Sequence, residues 1–170
     1  MPTAVSDNIT VFFTERQSFL RHWWWLVLSV IVLTSGVLQW RHRQSQMAPL
    51  LTASTILLLT ALLVGVFALL RIDTRLDTAG ASFRLFPLGW KHLPWSEVTA
   101  AYVRKYSALG EYGGWGIKGF STRNYAYNAA GNQGIQLELS DGRRILLGTQ
   151  HPVEAHRALV QLGYAASPPA

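Results

Sequence analysis

The chain has 170 residues, of which 49% are hydrophobic and 14% charged, with a formal charge of +6 and no cysteine. The missing cysteine excludes disulfides, thiolate metal sites and a cysteine nucleophile. The length suits one ordinary domain, or a small domain with an additional segment.

These averages hide a division. Between Trp23 and Leu70 the only charged residues are Arg41 and Arg43, whereas Arg71–Ala170 carries eleven Lys/Arg and seven Asp/Glu, a formal +4. In chain order, residues 1–22 form a polar N-terminal juxtamembrane segment. Trp23–Trp40 is then uncharged over eighteen residues, which as a helix reach roughly 27 Å, close to a hydrocarbon core of about 30 Å. Ala48–Leu70 is longer and equally free of charge. Both segments are expected to be transmembrane helices, joined as a hairpin by a short loop over 41–47. Trp23, Trp24 and Trp25 at one end and Trp40 at the other are expected interfacial anchors, because indoles favour the water–lipid boundary. The first segment lacks the small-x-small cleavage site of a signal peptide. Arg16, Arg21, Arg71, Arg75 and Arg84 outnumber Arg41 and Arg43, so a multi-pass protein of the cytoplasmic (inner) membrane is expected, with both termini cytoplasmic.

From Arg71 onward the pattern becomes alternating. Ile72, Thr74 and Leu76 alternate with Arg71, Asp73 and Arg75, and Asp77-Thr78-Ala79-Gly80 is a turn signal. Strands are expected from Phe83, over Trp90–Pro94, over Thr99–Tyr106 and over Ser121–Tyr127. The clearest hairpin is Ile135–Leu139, turn Ser140-Asp141-Gly142, and Arg143–Leu147, with Gln136 and Glu138 facing outward. Pro152–Leu162 reads as a helix with proline in its first turn, and 165–170 as a disordered tail. The paired apolar segments, the step Leu93-Pro94-Trp95-Ser96-Glu97-Val98 and the helix entry Gly148-Thr149-Gln150 resemble bacterial membrane-anchored proteins with a pleckstrin-homology-like (PH-like) domain. That resemblance implies a mainly-β PH-like barrel or sandwich over 71–164, its seven-stranded, strongly bent sheet capped by the C-terminal α-helix 152–162.

Candidate chemistry is sparse. Gly114-Trp115-Gly116-Ile117-Lys118-Gly119 fits G-x-G-x-x-G, but Phe120–Asn128 is aromatic and turn-prone where the fingerprint requires a helix. The five histidines show no H-E-x-x-H spacing, and there is no G-x-S-x-G elbow. No catalytic residue, cofactor or metal site is expected. The expected function is non-catalytic: an integral membrane protein whose PH-like domain binds a protein partner or the membrane surface, with anionic lipid headgroups rather than nucleic acid as the other ligand class. Trp115, Phe120, Tyr125, Tyr127, Lys118 and Arg123 form the candidate interaction surface, and Arg71, Arg75 and Arg84 are the candidate lipid-facing cations. The alternative is an accessory subunit of a membrane complex acting through its transmembrane hairpin.

Overall fold

The computed structural model describes residues 9–44, 49–121 and 123–164. Residues 1–8 of the expected juxtamembrane segment, 45–47 of the expected loop and the tail 165–170 lie outside that set. The chain divides into two compact units, Met1–Gln17 with Ile72–Ala170, and Ser18–Arg71.

The second unit is a pair of helices, α1 (Phe19–Gln44) and α2 (Pro49–Leu69). The amide of Phe19 donates to the carbonyl of Leu70 at 3.1 Å, so the unit begins and ends at one place. The hydroxyls of Ser29, Thr34 and Ser35 donate to carbonyls of their own helix, at Trp25, Val30 and Ile31. The expected two-span membrane hairpin is corrected here. Among the described residues no single helix is long and apolar enough to cross a membrane. Phe19–Trp25 and Val27–Trp40 reach the required length only together, across a 46° bend, and the apolar stretch Ser54–Leu69 is shorter still. A bilayer is spanned by about 20 consecutive, predominantly apolar residues of helix.

The first unit is a mixed fold of two sheets rather than a PH-like, seven-stranded one. Its elements are β1 (Val11–Ser18), β2 (Arg71–Asp77), β3 (Gly80–Phe86), β4 (Lys91–Pro94), β5 (Val98–Lys105), α3 (Ala108–Tyr112), β6 (Gly116–Ser121), β7 (Asn124–Asn128), β8 (Gln133–Leu139), β9 (Arg144–Gly148) and α4 (Pro152–Gln161). The four-stranded sheet has the order β1-β2-β3-β4 and the five-stranded sheet β5-β8-β9-β7-β6. Two features break the expected topology. Residues read as polar juxtamembrane chain form β1, where Phe13, Glu15 and Gln17 are buried in alternation. In addition, β7 and β9 pair parallel, Asn124↔Arg144 to Tyr127↔Leu147.

Alternation assigns the faces. One face of the five-stranded sheet buries Ile135, Leu137, Ile145, Leu147 and Tyr127, whose ring meets Phe83 of the other sheet edge-on at 4.9 Å. On the opposite face, Tyr106, Ala108, Tyr112, Ala126 and Leu146 form a second, smaller core. That core explains why Gln136, expected to face outward, is only 2% exposed. Its amide oxygen accepts from Arg104 Nε at 2.9 Å, and Arg104 also donates to Glu111 and to the Tyr112 hydroxyl on α3. The Arg104 hydrogen bond holds the Glu111 carboxyl below its usual range, with the Ser107 amide adding to the effect. Burial pushes the Tyr106 and Tyr112 hydroxyls up, so both stay protonated, and they accept from Asn128 Nδ2 and Arg104 Nη2 respectively.

Polar chemistry also fastens the ends of the fold. Asp77 Oδ1 accepts from the amides of Ala79 and Gly80, closing the β2–β3 turn. The buried Glu15 carboxylate accepts from Gln17 Nε2 (3.0 Å), Thr149 Oγ1 (2.6 Å) and the Gln150 amide (2.7 Å). Gln17 Nε2 also donates to the Gly148 carbonyl. The first strand is thereby tied to the entry of α4.

Candidate functional site

The glycine-rich stretch is organised by a short helix rather than a phosphate loop. Ser107 caps α3 by accepting from the Gly110 amide, and Gly113 ends it in the left-handed region at φ 74°. Gly114 and Gly116 continue at φ 133° and 105°, and the chain enters β6 directly. This strand lies at an edge of the five-stranded sheet and is irregular between Lys118 and Ser121, where a bulge-like step re-aims side chains.

Ile117, Lys118, Gly119 and Ser121 therefore line one open groove of about 430 Å³, together with Tyr125 of β7, Lys91 of β4 and Arg143 of the β8–β9 turn. Three cations thus converge from three parts of the chain. Lys91 Nζ lies 5.7 Å from the ring centroids of both Tyr125 and Tyr127, a cation–π arrangement. A hydrogen bond with Tyr127 pushes its pKa up against the opposing effect of burial, so Lys91 remains charged. Arg143 is held by Asp141 at 2.5 Å and lies 3.9 Å from Glu97. Lys118 is exposed and makes no ion pair among the described residues.

Of the residues singled out in the sequence, Lys118 and Tyr125 meet in this groove. Tyr127 sits just beneath it and is buried against Phe83. Trp115 is elsewhere: half-buried, it packs against the small core on the opposite sheet face. Arg123 is exposed at the β6–β7 turn, where its carbonyl accepts from the Arg144 amide. The side chain of Phe120 lies outside the described residues. Lys91 and Arg143 were not identified, because only the parallel β7–β9 pairing and the approach of β4 bring them to β6.

The candidate lipid-facing cations behave as a set. Alternation along β2 puts Arg71 and Arg75 on the outward face with Asp73, and Arg84 of β3 donates to Asp73 there. Asp73, Arg75 and Arg84 line a cleft of about 260 Å³ with Thr14, Arg16 and Trp90. In the helical unit, Trp24, Trp25 and Trp40 are 57%, 51% and 62% exposed, and the rings of Trp23 and Trp25 stack at 5.9 Å. Among the described residues no group of three or more His, Cys, Asp or Glu side chains is gathered as a metal site. Ser82 Oγ lies 2.9 Å from His92 Nδ1 in an exposed contact across the β3–β4 pair.

Searches against protein-family models, curated proteins and solved structures found no match.

Proposed function

We propose that this chain is a non-catalytic binding protein whose β unit docks an extended, acidic segment of a partner protein along the β6 edge. The observation that carries this reading is the convergence of Lys91, Lys118 and Arg143 around Tyr125 beside a strand whose outer edge pairs with no other strand among the described residues. An open edge offers backbone donors and acceptors to an added strand, while side-chain pockets select its sequence. Lysines supply charge without demanding one geometry, and Tyr125 and Ile117 supply the apolar contact area that protein interfaces favour.

The test is a fluorescence-anisotropy titration of the full chain with a labelled peptide of alternating Glu and Val. Saturable binding that weakens with salt, and weakens at least about tenfold in Lys118→Glu, supports the reading, since reversing one contacting charge costs on the order of 1–2 kcal/mol. Equal affinity in the variant sinks it. So does indifference to the peptide combined with Lys118-dependent capture by phosphatidylglycerol vesicles, which would assign the groove to a membrane surface.

A second reading concerns location and comes from the helical unit. Val32, Leu33, Leu57, Leu58 and Leu62 are each more than 60% exposed, and so many exposed large apolar side chains on one unit favour a contact with lipid or protein. We propose that it attaches the protein to the inner membrane. Recovery of the untagged protein in the soluble fraction after cell lysis would reject this.

A further inference from the structure

We propose that the arginine cleft on the outward face of the four-stranded sheet is a second binding site, selective for a dianionic phosphate monoester. Its centre is Asp73, whose side chain is only 8% exposed. Oδ1 accepts from Arg16 Nε at 3.2 Å, while Oδ2 accepts from Arg84 Nε at 2.8 Å and Nη2 at 2.7 Å. One carboxylate thus fixes two guanidinium groups and neutralises the charge of one. Arg84 is clamped again from the side, its guanidinium carbon 4.5 Å from the Trp90 ring and 5.3 Å from that of Phe86. Arg75 approaches the cleft from the same strand as Asp73 and keeps Nε 3.3 Å from Asp77.

The remaining donors point to the ligand. Among the described residues, the two terminal nitrogens of Arg16, Nη1 of Arg84 and the terminal nitrogens of Arg75 make no hydrogen bond. Thr14 adds an exposed hydroxyl at the rim. Glu15 also lines the cleft, but its carboxylate accepts from Gln17, Thr149 and the Gln150 amide. Three guanidiniums therefore meet two carboxylates, Asp73 holding Arg16 and Arg84 and Asp77 holding Arg75, so cationic charge remains in excess at the cleft.

Guanidinium forks match the oxygens of a phosphate in a way that lysine ammoniums do not. Because Asp73 and Trp90 already hold Arg84, and Asp73 holds Arg16, little rotamer entropy remains to be lost on binding. A dianion with three terminal oxygens can engage Arg16, Arg75 and Arg84 together, which a carboxylate cannot. Trp90, 51% exposed, forms a wall against which a ring carried by the ester can lie. The phosphate can belong to a soluble ester or to a lipid headgroup, since the recognising chemistry is the same.

The experiment is calorimetric titration of the purified full chain with inorganic phosphate and with phenyl phosphate at fixed ionic strength. Flotation with phosphatidylcholine vesicles, with and without phosphatidic acid, runs in parallel. Two variants keep the test separate from folding: Arg16→Gln removes a side chain that is 67% exposed, and Arg84→Lys keeps a cation against Asp73 while removing the fork. The expected result is saturable binding of phenyl phosphate, tighter than inorganic phosphate, and weakened at least about tenfold in each variant. Arginine-dependent flotation with phosphatidic acid, without binding of the soluble probes, assigns the phosphate to a lipid headgroup. No saturable response in either arm, or affinities unchanged in both variants, overturns the proposal.

Discussion

Replacing Glu15 by alanine tests the latch between the first strand and the last helix. In the folded chain Glu15 is 6% exposed and its carboxylate accepts three hydrogen bonds, none from a cationic side chain. Two donors have recourse when it is removed. Gln17 Nε2 retains the Gly148 carbonyl at 2.6 Å, and the Thr149 hydroxyl can rotate. The Gln150 amide, just past the end of β9, loses the charged acceptor it meets at 2.7 Å, and a charge-assisted hydrogen bond is worth about 1.5–3 kcal/mol. Adding the void left by the side chain and subtracting the desolvation of the buried charge gives a net loss of roughly 2–4 kcal/mol. Glu15→Gln, of the same shape, keeps an oxygen for the Gln150 amide and is expected to lose about 1 kcal/mol. Native-state hydrogen exchange suits a chain of two units, for which a single global midpoint is not assured. Protection of amides in β9 and the first turn of α4 should fall about thirtyfold or more in Glu15→Ala, since about 1.4 kcal/mol corresponds to tenfold. Protection within threefold of wild type there would refute the reasoning.

Trp115→Ala should destabilise the β unit by about half of the roughly 3–5 kcal/mol lost at a full core tryptophan, seen as a lowered melting temperature. Its effect on peptide affinity should be small, because it packs on the sheet face opposite the groove. Glu111 has a folded pKa below its ordinary value, so the stability it contributes is fully present above that ordinary value and is lost as pH falls through the folded pKa. Glu111→Gln should therefore flatten the stability profile below about pH 4.5, measured by urea midpoints across the acid range. Gly148→Ala would place a methyl group 2.9 Å from Asn128 Cβ and 3.1 Å from its Cα. Those atoms belong to a paired strand and cannot yield, so a loss of about 1–3 kcal/mol is expected in the same assay.

Legibility followed the range of the forces. The hairpin of β8 and β9 was readable because period-two alternation and an Asp-Gly turn act over neighbouring residues. Helix α4 was readable from Pro152 and its apolar stripe, and the Asp77 turn from the side chain that builds it. Strand β1 was missed because Glu15, Arg16 and Gln17 look like solvated chain, and only Thr149 and Gln150, far along the sequence, make a buried glutamate acceptable. Gln136 was turned the wrong way because α3 hides the second sheet face behind a helix of five residues, too short to announce itself by periodicity. The membrane reading took apolar length from composition, whereas the bend in α1 is a property of the folded backbone. Half of the groove was visible as Lys118 and Tyr125. Lys91 and Arg143 arrive through sheet order, which no local pattern encodes.

The meeting of Phe19 and Leu70 has a kinetic meaning. Arg16 and Asp73 are 57 residues apart in sequence, and closing so long a flexible loop before the four-stranded sheet can assemble is entropically slow. Helices form within microseconds. Once α1 and α2 have paired, the amide of Phe19 on the carbonyl of Leu70 shortens that loop to the reach of an ordinary turn. On loop-closure grounds the helical pair is expected to speed the assembly of the sheet it interrupts. A chain in which a short turn links Ser18 directly to Arg71 should still fold its β unit at an undiminished rate, whereas one in which a flexible linker of equal length replaces the helices should fold it more slowly.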